Sequence, residues 1–233
     1  MRFMDRATFA GTIDQTLLKP TVGETEAESW MRASANQGFA SLCISPFLVP
    51  LADRILAEST EGGTVVCSVC GFPLGYMETA SKAAEAARLV ELGCAEVDMV
   101  VNIAALLEGS ESYVRDDIKA VVNAVYENSG GAGLVKVILE TGYLEPAQVV
   151  TGSRLAVEAG AHFVKTSTGF GPRGASIEDV RLMRETVGPD VGVKAAGGIR
   201  DLSTALGMLA AGANRIGTSS GIDLLNALDA QAG

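Results

Sequence analysis

The chain has 233 residues, of which 48% are hydrophobic and 20% are charged, and its formal net charge is −10. This composition is typical of a folded globular protein and excludes a disordered or fibrous one. The negative charge argues against a nucleic-acid partner, because phosphate backbones are bound by basic surfaces. A small phosphorylated ligand stays possible, because it needs only a local site.

Short apolar runs rich in β-branched residues alternate along the chain with longer amphipathic segments. The short runs predict strands and the longer segments predict helices. The predicted strands lie, in chain order, at 13–17, 40–44, 64–69, 96–101, 134–139, 162–166, 191–195 and 214–217. The predicted helices lie between them, at 26–36, 47–58, 78–92, 113–128, 145–159, 177–187 and 202–211.

This series of strand–helix units predicts one α/β domain over residues 1–233, folded as a TIM (β/α)8 barrel. Such barrels take about 250 residues. An open, doubly wound parallel sheet is the alternative. That fold carries its glycine-rich turn after the first strand, whereas the glycine-rich turns here lie near the end of the chain.

Neither a membrane span nor a secretion signal is expected. The longest uncharged run, between Arg32 and Asp53, contains two prolines and makes a poor membrane helix. Asp5 and Arg6 stand where a signal peptide has its apolar centre. We therefore expect a cytoplasmic protein without a membrane partner.

The helix predicted at 78–92 has a stripe of small residues at spacings of three and four. We expect this stripe to face the sheet and a charged face to lie opposite it. The stripe consists of Ala80, Ala83, Ala84, Ala87 and Val90, and the charged face of Lys82, Glu85 and Arg88.

The four cysteines are expected to be buried free thiols. Cys67 and Cys70 have the CxxC spacing of some redox and metal sites. In a strand, however, residues three apart are separated by about 10 Å and face opposite sides, which places them beyond the reach of a disulfide. The single histidine, His162, is expected to face away from the barrel mouth, so no metal site is predicted.

Two lysines interrupt apolar strands near their carboxyl ends, where parallel barrels place their functional groups. Lys165 and Lys194 are 29 residues apart, which puts them at similar heights on neighbouring strands. Two nearby ammonium groups disfavour each other's protonation, and a neutral lysine amine is the nucleophile of Schiff-base chemistry. Alternatively, one lysine pairs with a barrel carboxylate and the other extends its ammonium group outwards.

Two aspartates are candidate partners of these lysines. Asp98 lies between Val97 and Met99 in a predicted strand and is interpreted as the counterion of an inward lysine, as a proton shuttle, or as both. Asp14 either points into the barrel mouth or serves as an N-cap or surface turn residue.

Glycine-rich turns follow the last two predicted strands, where TIM barrels commonly bind phosphate. Gly197 and Gly198 form the first turn, and Gly217, Ser219 and Ser220 belong to the second. Backbone N–H groups and hydroxyls at the start of a helix favour an anion. Serine in this position is also an ordinary N-cap, but the pair of turns favours phosphate.

Seven strings that run through almost the whole chain resemble the deoxyribose-phosphate aldolase family, which comprises class I aldolases with a TIM-barrel fold. The strings are IDQTLLKP at 13–20, GFPLG at 71–75, EVDMV at 96–100, LVKVILETG at 134–142, FVKTSTG at 163–169, KAAGGIR at 194–200 and RIGTSSG at 215–221.

The resemblance implies reversible cleavage of 2-deoxy-D-ribose 5-phosphate to acetaldehyde and D-glyceraldehyde 3-phosphate, in deoxyribonucleotide catabolism. It assigns the Schiff base to Lys165, makes Lys194 the second lysine that favours the neutral form of the first, and gives acid–base chemistry to Asp98. Asp14 would orient Lys194. The residues implied around the phosphate are Gly169, Gly197, Gly198, Gly217, Ser219 and Ser220. No cofactor is implied, because the lysine itself supplies the electron sink.

The sequence departs from the family's pattern at three places. Position 15, commonly histidine, is Gln15, which removes a titrating group but keeps hydrogen bonding. Ala195 and Ala196 precede Gly197, where family members vary among small residues. Some members carry a C-terminal tyrosine that assists proton transfer, whereas the last tyrosine here is Tyr143, so proton transfer without one is expected.

Other functions stay open at this point. One is a different phosphosugar enzyme, such as an isomerase or another Schiff-base aldolase, and another is a phosphosugar-binding barrel without catalysis. The paired lysines with Asp98 favour the aldolase over the non-catalytic barrel. Barrels of this type often form dimers, so a homodimer is the expected assembly, although no exposed apolar stripe marks its interface.

Overall fold

Eight parallel strands form a closed barrel in the computed structural model, which describes residues 4–60 and 62–232. Each strand is hydrogen-bonded to the next in chain order, and the last strand closes the barrel on the first. The strands are β1 (Ile13–Leu17), β2 (Ser41–Ile44), β3 (Val65–Cys70), β4 (Glu96–Val100), β5 (Leu134–Ile138), β6 (Phe163–Lys165), β7 (Gly192–Ala196) and β8 (Arg215–Thr218). The predicted TIM barrel is confirmed, and the closure excludes an open doubly wound sheet.

The helices surround the barrel and begin where the sequence supplies caps for their free N–H groups. Asn102, Ser176 and Asp201, for example, accept hydrogen bonds from the first turns of the helices that follow them. The helices are α1 (Arg6–Ala10), α2 (Glu24–Ser34), α3 (Val49–Ala57), α4 (Thr79–Glu91), α5 (Ile103–Leu107), α6 (Glu111–Asn128), α7 (Pro146–Glu158), α8 (Ile177–Val187), α9 (Leu202–Ala210) and α10 (Gly221–Ala232). Within the described ranges, no helix is both long and apolar enough to cross a membrane.

The hydrophobic core lies between the strands and the helices. The strands are short and buried on both faces, as parallel strands covered by helices are, and every residue of β4 is buried. This burial explains why the strands read in the sequence as nearly continuous apolar runs. The charged residues that interrupt those runs point into the barrel and need partners there.

The predicted orientation of α4 was wrong in part. Arg88 is exposed and Val90 packs against the core, as predicted. Lys82 instead belongs to the buried face with Ala86 and Leu89, and Ala80 and Ala84 are exposed. The Lys82 ammonium group lies 2.7 Å from a carboxylate oxygen of Asp117 on α6 and donates to the carbonyl oxygen of Val100 at 3.0 Å. Hydrophobic periodicity assigned this lysine to solvent because its partner lies 35 residues away in the sequence.

Lys82→Met is expected to reduce the free energy of unfolding by about 3–5 kcal/mol, because it leaves the buried Asp117 carboxylate without its counterion. Urea denaturation measures the loss. Arg88→Met, on the exposed face of the same helix, is the matched control and is expected to change stability by about 0.5 kcal/mol or less. Equal stability of the two variants would contradict the assignment.

Candidate active site

Seven ionisable side chains meet inside the barrel, and we call them the ion cluster. They come from six of the eight strands, and all are buried except Arg215, whose side chain is 16% exposed. The ion cluster consists of Asp14, Glu96, Asp98, Lys136, Lys165, Lys194 and Arg215.

The two predicted lysines meet at one aspartate. Lys165 and Lys194 are direct partners in the register of β6 and β7, as the spacing predicted. Both ammonium groups donate to the same carboxylate oxygen of Asp98, each at 2.7 Å. Since both lysines point into the barrel, the alternative in which one of them extends outwards is excluded.

Asp14 also belongs to this network, and not to an N-cap or a surface turn. Its residue is fully buried, one carboxylate oxygen lies 2.6 Å from the Lys194 ammonium group, and the other accepts a hydrogen bond from Arg215. Asp14 therefore holds Lys194 from the side opposite Asp98.

Three members of the ion cluster were not predicted. The Lys136 ammonium group lies 2.6 Å from Glu96 and 2.8 Å from Asp98, and Arg215 bridges Glu96, at 2.9 Å, to Asp14. A signal was present in the sequence, because Lys136 interrupts an apolar strand as Lys165 does. In the barrel it stands directly opposite Asp98 in the register of β4 and β5.

The ion cluster fixes the charge states of its aspartates and of Lys194. Burial alone would raise the pKa of Asp98, but Lys136, Lys165 and Lys194 outweigh burial and hold that pKa well below its usual range. The pKa of Asp14 is lowered in the same way, chiefly by Lys194. Burial would lower the pKa of Lys194, but Asp14 and Asp98 raise it above its usual value. Both aspartates are therefore carboxylates at neutral pH, and Lys194 is an ammonium ion.

A count of charges singles out one lysine. The ion cluster holds four basic groups and three carboxylates, which leaves one excess positive charge when all are ionised. Lys136 has ion pairs with three carboxylates and Lys194 with two, whereas Lys165 has one. Lys165 is thus the basic group of the cluster with the fewest ion pairs.

The cysteines are buried free thiols, as predicted. Cys67 points into the barrel, with its sulfur 3.3 Å from Asp98, whereas Cys70 points the other way and donates to the carbonyl oxygen of Lys82. The donor atoms of Cys43, Cys67 and Asp98 lie within 4.8 Å of one another, a spacing that suits a metal ion. The three ammonium groups bonded to Asp98 oppose a cation there, and burial raises the pKa of the Cys67 thiol, which disfavours the thiolate that a metal needs.

A cavity of about 500 Å³ opens at the carboxyl ends of the strands. Among the seven described members of the ion cluster, only Lys165 lines it. Five of the six residues predicted around a phosphate line it as well: Gly169, Gly197, Gly198, Gly217 and Ser219. Ser220 lies outside this lining, and its N–H group donates to the Thr218 hydroxyl at 3.0 Å.

The turns that line the cavity offer donors to an anion. Within the described part of the chain, the backbone N–H groups of Gly169, Gly198 and Ser219 have no acceptor. The lining also includes Lys19 and Arg200, two cations that were not predicted as site residues. Free amides beside positive charge are the usual means of binding a phosphate.

Gly217 packs closely against β7. A Cβ atom at this position would lie 2.9 Å from the Cβ atom of Ala196 and 3.1 Å from the Cε atom of Lys194. A side chain here would therefore press on the lysine that bridges Asp14 and Asp98.

Two further residues considered from the sequence lie away from the ion cluster. The side-chain oxygen of Gln15 accepts the N–H group of Gly221 at 2.9 Å and so fixes the start of α10. His162 precedes β6, is exposed, and accepts the N–H group of Val135 through Nδ1 at 3.1 Å. The prediction that His162 faces away from the barrel mouth is confirmed.

Known proteins resemble this chain over nearly its full length. A family model described as DeoC/LacD family aldolase matches residues 8–227. The deoxyribose-phosphate aldolase of Carboxydothermus hydrogenoformans is 48% identical over 219 residues, 94% of each chain. That of Thermococcus kodakarensis is 48% identical over 95% of this chain and 97% of its own.

Solved structures agree with these sequence matches. An aldolase named QR15 superposes with a TM-score of 0.87 at 38% identity, covering 96% of this chain and 97% of its own. The deoxyribose phosphate aldolase of Aeropyrum pernix, described as a tetramer, gives 0.85 at 30% identity, covering 97% and 93%. The resemblance seen in the sequence is confirmed, and the chain belongs to the DeoC/LacD family of aldolases.

Proposed function

We propose that this chain cleaves 2-deoxy-D-ribose 5-phosphate reversibly to acetaldehyde and D-glyceraldehyde 3-phosphate through a Schiff base on Lys165. The observation that carries the proposal is the position of Lys165, the one described member of a buried ion cluster that reaches the cavity. The relatives named deoxyribose-phosphate aldolase support the choice of substrate.

The first stage joins the substrate to the enzyme. The neutral amine of Lys165 attacks the C1 aldehyde of the open-chain sugar and forms a C–N bond. The former carbonyl oxygen is protonated and leaves as water, which gives an iminium ion. We assign the proton donor to Lys194, acting through a water molecule, because it is an ammonium ion beside Lys165 but does not line the cavity.

The second stage breaks the bond between C2 and C3. A base takes the proton of the C3 hydroxyl, C3 becomes the aldehyde of D-glyceraldehyde 3-phosphate, and the C2–C3 electron pair moves into the iminium ion to give an enamine. We assign the base to Asp98, acting through a water molecule, because its carboxylate contacts Lys165 but does not line the cavity. Protonation of C2 and hydrolysis of the iminium then release acetaldehyde and restore the amine.

The phosphate is proposed to bind at the turns after β6, β7 and β8, where the free amides of Gly169, Gly198 and Ser219 line the cavity. The negative charge of the phosphate is met there by Arg200. The local field is thus opposite in sign to the net charge of −10.

Arg200→Gln is expected to raise the KM for 2-deoxyribose 5-phosphate about tenfold or more, the cost of one charge-assisted hydrogen bond. Steady-state kinetics with unphosphorylated 2-deoxyribose should show no such change. Arg181→Gln, on the exposed face of α8, is the matched control. An equal loss on both sugars would place Arg200 outside the phosphate site.

The proposed function is tested by incubating the purified chain with 2-deoxyribose 5-phosphate and measuring both products. Equal amounts of acetaldehyde and D-glyceraldehyde 3-phosphate are expected. An isomerised sugar without cleavage would indicate an isomerase, and binding without conversion would indicate a non-catalytic barrel. A chelator should have no effect. Activity that a chelator abolishes and zinc restores would indicate a metal-dependent aldolase instead.

We further propose a cytoplasmic enzyme of deoxyribonucleotide breakdown that acts as a homodimer, with residues 1–233 as one catalytic domain. The free thiols suit a reducing compartment. Phe47 and Tyr76 are 71% and 69% exposed, and aromatic residues are enriched at interfaces between subunits. Light scattering with size-exclusion chromatography distinguishes the dimer from a monomer and from the tetramer described for the Aeropyrum relative.

A further inference from the structure

Glu140, which follows β5, has an unusual backbone. Its φ of 57° and ψ of 59° lie in the left-handed region, and it is the one non-glycine residue with a positive φ in the described ranges. A side chain other than glycine is disfavoured in this conformation. The residue is also 1% exposed, although glutamate is rarely buried without a cation. A cost of this kind persists where the surroundings require it, often at functional sites.

The Glu140 carboxylate holds the turn after β6. Its two oxygens lie 3.3 and 3.2 Å from the backbone nitrogen of Thr168, which donates to them, and one of them also accepts the Thr168 hydroxyl. The same hydroxyl oxygen accepts the N–H group of Phe170 at 3.0 Å. Thr168, Gly169 and Phe170 all line the cavity, so this carboxylate sets the shape of one wall.

The left-handed conformation of Glu140 points its carboxylate at Thr168 while the residues on either side stay hydrogen-bonded to β6 and the residue after it. The N–H group of Leu139 donates to the carbonyl oxygen of Lys165 at 3.0 Å, and that of Thr141 donates to the carbonyl oxygen of Thr166 at 2.9 Å. Glu140 lies between these two bonds to the same segment. A Cβ atom on Gly171 would lie 2.8 Å from the Glu140 carboxyl carbon, so the turn passes directly over it.

The next residue secures the far end of the same connection. The Thr141 hydroxyl donates to Asp179 at 2.9 Å, and Arg173 donates to the carbonyl oxygen of Thr141 at 3.0 Å. Arg173 also pairs with Asp179. Thr141 thus holds one end of the connection, and Glu140 holds Thr168 at the end that lines the cavity.

The hydrogen bonds that the Glu140 carboxylate accepts from the described residues all come from Thr168. Among those residues it forms no ion pair, although the charge of Lys165 is close enough to act on it. Burial raises the pKa of Glu140 above its usual value and outweighs the hydrogen bonds from Thr168 and the charge of Lys165, which lower it.

We propose that Glu140 is a positioning residue for substrate phosphate: by holding Thr168, it fixes the free N–H group of Gly169 in the cavity. This proposal rests on the proposed function, because it takes the phosphorylated sugar as the ligand. A turn fixed before binding loses no conformational entropy when the phosphate binds. The same contact therefore favours phosphorylated over unphosphorylated sugars.

The test compares Glu140→Gln, Thr168→Val and the double variant. Each single change is expected to raise the KM for 2-deoxyribose 5-phosphate about tenfold. The change should appear in KM more than in kcat, and the KM for 2-deoxyribose should stay within about twofold. Since both side chains act through one contact, the KM of the double variant should not exceed that of the single variant with the higher KM. Glu145→Gln, exposed and five residues further along, is the matched control.

A second readout does not depend on turnover. Trp30, the single tryptophan, lines the cavity, so its fluorescence reports the binding of inorganic phosphate. The Kd for phosphate is expected to rise about tenfold in Glu140→Gln. A wild-type chain that binds phosphate through this contact but does not cleave the sugar would refute the proposed function and leave the role of Glu140 standing.

Three results would overturn the role of Glu140: an unchanged KM and Kd in Glu140→Gln, equal losses on both sugars, or additive effects in the double variant. If Glu140→Gln does not fold, Thr168→Ser and Thr168→Val decide the question. Serine keeps the hydroxyl and should retain the wild-type KM, whereas valine should not. Equal KM values for these two variants would refute the contact.

Discussion

Lys165→Leu is expected to lower kcat/KM for 2-deoxyribose 5-phosphate by about 10⁴-fold or more, the scale of losing a covalent nucleophile. Leucine fills much of the space of the lysine but cannot form an iminium ion. The fold should persist, because removing this ammonium group leaves three basic groups and three carboxylates in the ion cluster. Thermal unfolding checks the fold, and product release checks the activity.

The control for that experiment is Lys119→Leu, which removes an exposed lysine from α6. Its rate should equal that of the wild-type chain. If Lys165→Leu retained a rate within tenfold of the control, another group would have to be the nucleophile.

Asp98→Asn is expected to impair both stability and catalysis. The carboxylate of Asp98 is shared by Lys136, Lys165 and Lys194, so its loss raises the excess positive charge of the ion cluster from one to two. Breaking a buried pair costs about 3–5 kcal/mol, and losing an acid–base group costs about 10²- to 10⁴-fold in kcat. Urea denaturation and steady-state kinetics measure the two effects.

The stability difference should depend on pH with a defined sign. The folded pKa of Asp98 lies well below its unfolded value of about 3.9. Its contribution is therefore complete above about pH 4 and is lost as the pH falls through the folded pKa. The deficit of Asp98→Asn should be full at neutral pH and shrink in acid. Asp116→Asn, exposed on α6, is the control, and equal stability of the two variants at neutral pH would contradict the account.

The barrel could be predicted from the sequence because parallel strands are buried on both faces. Strands of three to six residues then read as apolar runs, and their order along the chain is their order in the sheet. The short helices α1 and α5 went unpredicted, because five residues give little more than one turn of periodicity.

The site was predicted in part. Lys165 and Lys194 lie near the carboxyl ends of their predicted strands, where barrels place functional groups. Lys136 has the same third position in β5 as Asp98 in β4 but was not predicted, and Arg215 lies at the start of β8. A wider rule, that every charge within a buried strand needs an opposite charge nearby, would have found them.

Other contacts depend on tertiary structure. The residues next to Lys82 do not predict its contact with Asp117, and those next to Glu140 do not predict its contact with Thr168. Each contact joins segments that only the closed barrel brings together. Ser220 was predicted to contact the phosphate together with its neighbour Ser219, but only Ser219 lines the cavity. Neighbouring residues in a turn face different directions, which composition does not reveal.

Trapping with borohydride tests the central claim most directly. The wild-type chain is incubated with acetaldehyde, reduced with borohydride and digested, and its peptides are mapped by mass. We expect one added ethyl group, on the Nζ atom of Lys165. No adduct, or an adduct confined to Lys194 or Lys136, would contradict it.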